Sequence, residues 1–320
     1  MSTRLTVFAW AERGAIANVR AALGVAGTLP TVRHWRAFLD ALLLWSGAVA
    51  VGAAVVFFIA HNWNDLGKFA KFGLIELPLL AAVVGYWRWG PDRAVGKASL
   101  LVAAILLGAL LALFGQTYQT GADTWELFAS WAALMVPWVL IGRLAGLWML
   151  WIAIANVGIV LYFLVFPGLL GMVFSTERQL WTLFGFNTAA LVVWELAARR
   201  AAWLNERWAP RLLAMASGTT ITIIVVQAIV DWQGASGAAV LAYPMWLAGV
   251  YGAYRLLRRD VFVLAGGSLS VIVVVAALLL RALEVTRAQA DGLLLIALAV
   301  IAMAAASGWW LKRVAGEADA

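Results

Sequence analysis

Apolar residues run through this chain in blocks of about twenty, broken by short polar stretches. A helix that crosses the hydrocarbon core needs about 20 mostly apolar residues. Ten blocks qualify, at roughly 41–60, 70–87, 98–115, 125–141, 146–166, 180–197, 212–230, 236–254, 261–280 and 292–311. The loops between them are mostly short, which suits a compact helical bundle. The pattern therefore predicts an all-α, polytopic transmembrane bundle of ten spans over 41–311. An interfacial N-terminal segment (1–40) precedes it, and a short tail (312–320) follows. Over 28–45, an interfacial helix leading into the first span, Val32, Trp35, Leu39 and Leu42 fall on one helical face, with Thr28 as the expected N-cap and Pro30 near the first turn.

Composition agrees with a bilayer as solvent. The chain of 320 residues is 65% hydrophobic and 12% charged, with a mean hydropathy of +0.92. Soluble domains are about 45–50% apolar and about 25% charged. The 19 Trp fit bilayer interfaces. With no Cys, disulfides and thiolate metal sites are excluded.

The charges set an orientation. With the N-terminus inside, the inner segments hold 18 of the 23 Lys and Arg, clustered at Arg88–Lys97, Arg199–Arg211 and Arg255–Arg259. The outer loops hold Lys68, Lys71, Arg178, Arg281 and Arg287. This asymmetry predicts both termini in the cytoplasm. It also accounts for the net charge of +7 without nucleic acid as a partner. Arg outnumbers Lys 19 to 4 and Ala is abundant, a usage typical of GC-rich bacterial coding. The expected location is a bacterial inner membrane, with the outer loops facing the periplasm.

Two polar stretches then share the outer side. One interrupts "FFIAHNWNDLGKFAKF" at His61, Asn62, Asn64 and Asp65; the other is "GQTYQTGADTWELF", with Gln116, Tyr118, Gln119 and Asp123. Part of this pattern is local helix chemistry. Asn62 with Asp65, and Asp123 with Glu126, resemble capping boxes, and Trp63, Tyr118 and Trp125 suit interface anchors. Capping leaves His61, Asn64, Gln116, Tyr118 and Gln119 unexplained. Those groups suit hydrogen bonding to a small polar solute or a lipid headgroup.

The two stretches, within "GAVAVGAAVVFFIAHNWNDLGKFAKFGLIE" and "GQTYQTGADTWELFASWAALMVPWVL", also resemble bacterial membrane proteins carrying the domain of unknown function 2157. The resemblance covers roughly residues 10–145. It implies a polytopic inner-membrane protein and carries over no activity and no catalytic residue.

Glu76 is an ionisable group about two turns into the second span, with Pro78 two residues on. Such a group is a candidate for proton or cation coupling; its ordinary alternative is a pair with Lys68 or Lys71. Glu195 with Arg199 at i+4 reads as a local ion pair. Asn156, Asn187 and Gln227 read as interhelical packing amides. Ala103, Ala104 and Gly108, and Gly266, Gly267 and Ser268, suit close helix contacts. His34 and His61 fall on opposite sides of the membrane, so no His pair is placed to hold zinc. No P-loop or nucleophile elbow is present, and no cofactor is expected.

Three functions follow as expectations. The first is a small-solute or lipid-precursor transporter using His61, Asn62, Asn64, Asp65, Gln116, Tyr118, Gln119 and Asp123 for recognition and Glu76 for coupling. The second is a non-enzymatic envelope component binding a periplasmic partner or lipid. The third is a membrane enzyme on an envelope lipid or glycan, with Asp65, Asp123 and Glu126 as its carboxylates.

Overall fold

A computed structural model describes residues 3–16, 18–26, 31–165, 176–230, 237–283 and 290–317. Regular structure among them is entirely helical: α1 (Thr3–Glu12), α2 (Val19–Val25), α3 (Val32–His61), α4 (Lys68–Trp89), α5 (Ala94–Tyr118), α6 (Thr124–Gly142), α7 (Ala145–Val165), α8 (Thr176–Ala197), α9 (Trp208–Val230), α10 (Gly237–Tyr251), α11 (Val261–Ala282) and α12 (Ala290–Gly316). A 3-10 turn, Ala202–Leu204, precedes α9, and a π-helical turn, Gly252–Leu257, continues α10.

Among the described residues, nine helices are long and apolar enough to cross a membrane: α3 to α9, α11 and α12. The tenth expected span, 236–254, falls on α10, which has 15 α-helical residues. At 1.5 Å per residue that is about 22 Å, short of the ~30 Å hydrocarbon core. The hydrogen-bond register widens at Gly252, where the π-helical turn takes over and carries the helical backbone to Leu257. α3 joins the predicted interfacial stretch and the first span into one helix of 30 residues. Its N-cap is Thr31, whose side chain accepts from the His34 amide while His34 Nδ1 accepts from the Thr31 amide. The expected caps Thr28 and Pro30 lie outside the described residues.

The chain divides into two compact units, Met1–Gly158 and Ile159–Ala320. In the first, α5 is central and packs on α3, α4 and α6. Its buried face is built from small residues: Ala103 and Ala104 are fully buried, and a Cβ on Gly108 would lie 2.5 Å from the Trp131 ring. Helices in lipid gain little from excluding water, so close backbone approach and interhelical hydrogen bonds carry more of the packing. Trp131 Nε1 donates to Ala104 O and Trp151 Nε1 to Ala132 O, both at 2.9 Å, tying α6 to α5 and α7 to α6.

In the second unit α9 is central, packed on α8, α10 and α11, while α12 packs on α11. Buried hydroxyls link these helices. Thr188 Oγ1 and Ser217 Oγ lie 2.6 Å apart, Trp246 Nε1 donates to Ser217 Oγ at 2.9 Å, and Thr222 Oγ1 and Ser270 Oγ lie 2.6 Å apart.

Candidate functional site

The two polar stretches of the first unit meet at one end of it. Trp63 packs on the core of Ile59, Ile75, Leu106 and Leu113. Tyr118 lies with ring centroids 4.8 Å from Phe114 and 6.1 Å from Phe72. Lys71 is buried, with Nζ 3.6 Å from the centroid of Trp63, a cation–π contact.

The named polar groups around this aromatic seam sit mostly at helix ends. Asn62 closes α3, and its Nδ2 donates to Phe58 O at 2.8 Å. It does not open α4, whose N-cap is Gly67 with no side-chain cap bond. The expected Asn62–Asp65 capping box is therefore absent, because five residues of turn separate Asn62 from the first residue of α4. Asp123 does occupy the N-cap position of α6, without a side-chain cap bond, and Glu126 stands in the first turn, where the helix dipole favours a carboxylate. Gln119 closes α5 in the left-handed region at φ 46°. His61, Asn64, Asp65, Gln116, Tyr118, Gln119 and Asp123 are all exposed.

Glu76 is exposed as well. It lies one helical turn past Phe72, so it shares that residue's side of α4, about 12 Å from the helix start. Its neighbours Leu77 and Leu80 are also exposed. α4 runs through Pro78 without ending. Of the mid-span amides, Asn156 and Asn187 donate to carbonyls of their own helices, Ile152 O and Leu183 O, both at 2.8 Å.

Among the described residues, the most connected charges are in the second unit, where α8 ends and α9 and α11 begin. Asp260 is almost fully buried. It caps α11 by accepting from the Phe262 amide at 3.1 Å. The same carboxylate takes Arg207 Nη2 at 2.9 Å and Arg211 Nε at 3.0 Å. Burial pushes its pKa upward, but the hydrogen bonds and charges of Arg211 and Arg207 override that and hold it below the ordinary value. Glu195 accepts from Tyr254 OH at 2.9 Å and from Arg258 Nη1 at 3.1 Å, and lies 3.6 Å from Arg207 Nη1. The expected Glu195–Arg199 pair is thus replaced by Tyr254 of the π-helical turn, Arg258 that closes this turn, and Arg207 just before α9. Further along, Arg255 and Arg313 pair with Glu317, and Arg259 donates to Glu317 O at 2.8 Å.

Two grooves adjoin this network. One, of about 500 Å³, runs between α8 and α10 from Phe184 and Met245 to Glu195 and Tyr254. The other, of about 350 Å³, runs between α9 and α11 and has Arg211 in its lining. Trp246 lines both. No cluster of His, Asp and Glu suited to a metal occurs among the described residues.

Residues 9–148 match a known family. It is DUF2157, described as a predicted membrane protein. The DUF2157 segment contains both polar stretches and Glu76, and it ends within α7. No curated protein matches the chain, and no solved structure does. The DUF2157 match and the membrane-length helices together make this a multi-pass membrane protein.

Reading the sequence alone missed the Asp260 network. One signal was present: Asp260 directly precedes the apolar run VFVLAGG, which is an N-cap pattern. The arginines carry a topological signal that masked their second role.

Proposed function

We propose that this protein binds a lipid or lipid precursor taken from the bilayer it spans. One observation carries the reading: the groove of about 500 Å³ between α8 and α10 has apolar walls and a single charged end at Glu195 and Tyr254. A ligand with an apolar chain and a polar head matches that division. Binding sites are commonly apolar concavities with a few placed polar groups. The groove needs no water-filled path, which suits a site inside hydrocarbon.

Transport of such an amphiphile across a bacterial inner membrane is the wider form of the proposal, with N-in/C-in topology supported by the Lys and Arg distribution. In that form the exposed groups His61, Asn64, Asp65, Gln116, Tyr118, Gln119 and Asp123, with the half-buried Asn62, receive a headgroup at the periplasmic end. Glu76, one turn from the aromatic seam, is the coupling group.

The test uses Gly249, which lines the groove and has open space where a Cβ would stand. Gly249→Leu sets its Cβ in that open space and its branched side chain into the groove. Native mass spectrometry of the detergent-purified protein is expected to show a retained lipid-mass adduct in the wild type. The variant should lose it at an unchanged melting temperature. Equal retention in both proteins removes the groove from the account.

A further inference from the structure

We infer that the groove between α9 and α11 seats a phosphate-bearing lipid, with its phosphate on Arg211 and one acyl chain along the groove. The inference rests on the lipid-binding reading above but on a different groove, and it names the headgroup chemistry. Arg211 is held rather than free. Its Nε donates to both carboxylate oxygens of Asp260, at 3.2 and 3.0 Å, and its guanidinium carbon lies 5.4 Å from the Phe262 ring centroid. Neither Nη atom makes a hydrogen bond among the described residues. The Arg211 side chain is 42% exposed, so that edge of the fork is accessible. Asp260 is shared with Arg207, and Glu195 faces Arg207 and Arg258, so two carboxylates meet three guanidiniums and this cluster keeps a positive surplus. An anion is the complement, and the planar guanidinium edge matches the oxygens of a phosphate.

The rest of the groove specifies a chain. On α9 its lining follows one stripe, Arg211, Met215, Gly218 and Thr222. From Arg211 to Ile223 the stripe is about 18 Å long at 1.5 Å per residue. One leaflet of hydrocarbon is about 15 Å deep, half the ~30 Å core. On the facing α11, Gly266 is exposed and has nothing within 4 Å of where a Cβ would stand. The polar atoms at the deep end are already paired: Thr222 Oγ1 donates to Gly218 O at 2.6 Å, and Ser270 Oγ meets Thr222 and Tyr243 at 2.6 and 3.0 Å. One lining hydroxyl, that of Thr219, is left over among the described residues, too little for a sugar or peptide, whereas an acyl chain needs no polar partner. Charge at the mouth, leaflet length and a largely paired interior point to one occupant, an anionic phospholipid.

The test reconstitutes the full chain in phosphatidylcholine vesicles. Spin-labelled phosphatidic acid and spin-labelled diacylglycerol serve as probes, and the motionally restricted fraction of each is read by electron spin resonance. The wild type should restrict the phosphatidic acid label preferentially. Arg211→Gln should reduce that preference about tenfold, the order of a lost charge-assisted hydrogen bond. Arg207 still neutralises Asp260 in that variant, and a melting curve checks the fold. Gly266→Leu, which leaves Arg211 in place, should lower the restricted fraction of both labels, while Gly249→Leu should leave the phosphatidic acid preference unchanged. An undiminished preference in Arg211→Gln, or an unchanged restricted fraction in Gly266→Leu, overturns this inference and leaves the α8–α10 groove standing. Displacement of the label by inorganic phosphate overturns it too, because the site would then take a free anion. Loss of the phosphatidic acid preference in Gly249→Leu at an unchanged melting temperature assigns the headgroup to the other groove and overturns the inference.

Discussion

Asp260 meets three demands with one carboxylate: it caps α11, it holds Arg207 and it holds Arg211. Asp260→Asn should cost about 2–3 kcal/mol, below the range for fully buried pairs because both guanidiniums reach solvent. Thermal melting in detergent checks it. The carboxylate's pKa is depressed in the fold, so its contribution is fully present above the unfolded value of about 3.9. It is lost as pH falls through the folded value. Melting temperatures of wild type and Asp260→Asn should therefore converge in acid and separate toward neutrality. A constant gap across that range would contradict the assignment. In the first unit the sensitive position is Gly108, where a methyl group would meet the Trp131 ring at 2.5 Å. Gly108→Ala should destabilise by about 1–3 kcal/mol, whereas Gly47→Ala, with open space at its Cβ, should not.

At the scale of helices, indole hydrogen bonds join α5, α6 and α7. Trp131→Phe and Trp151→Phe each remove one bond to a neighbouring helix's carbonyl. Each should cost about 0.5–1.5 kcal/mol, measured by steric trapping in bicelles. The elements themselves were legible in the sequence because lipid imposes a length and an apolar content that any reader can count. α10 departed from that count because Gly252 begins a π-helical turn, and nothing in the spacing of apolar residues marks a change of hydrogen-bond register. The partners of Glu195 were hidden for a different reason. Arg258 is 63 positions away, and the helical i+4 rule pointed to Arg199 instead. The polar stretches were legible as the ends of α3 and α5. Their exact caps were not, since Gly67 rather than Asn62 opens α4.

For the molecule as a whole, the DUF2157 segment stops at residue 148, and the first compact unit stops at Gly158. The sequence placed the family resemblance and the polar stretches in that first unit, while the Asp260 and Glu195 ion pairs and the two grooves beside them belong to the second. The orientation proposed from Lys and Arg has a direct test. Periplasm-dependent alkaline phosphatase should be active when fused after Asp65 or Gly121, and a cytoplasm-dependent fluorescent protein should glow when fused after Pro91 or Ala320. The reverse pattern would invert the proposal. Trp246 adds a consequence within the second unit. Its indole lines both grooves, its N–H is tethered to Ser217, and its ring stands 2.8 Å from where Gly218 would carry a Cβ. That ring is a partition one residue thick. Held at its N–H and seated against Gly218, it stays in place whichever groove is filled, so no coupling free energy passes between the two chambers.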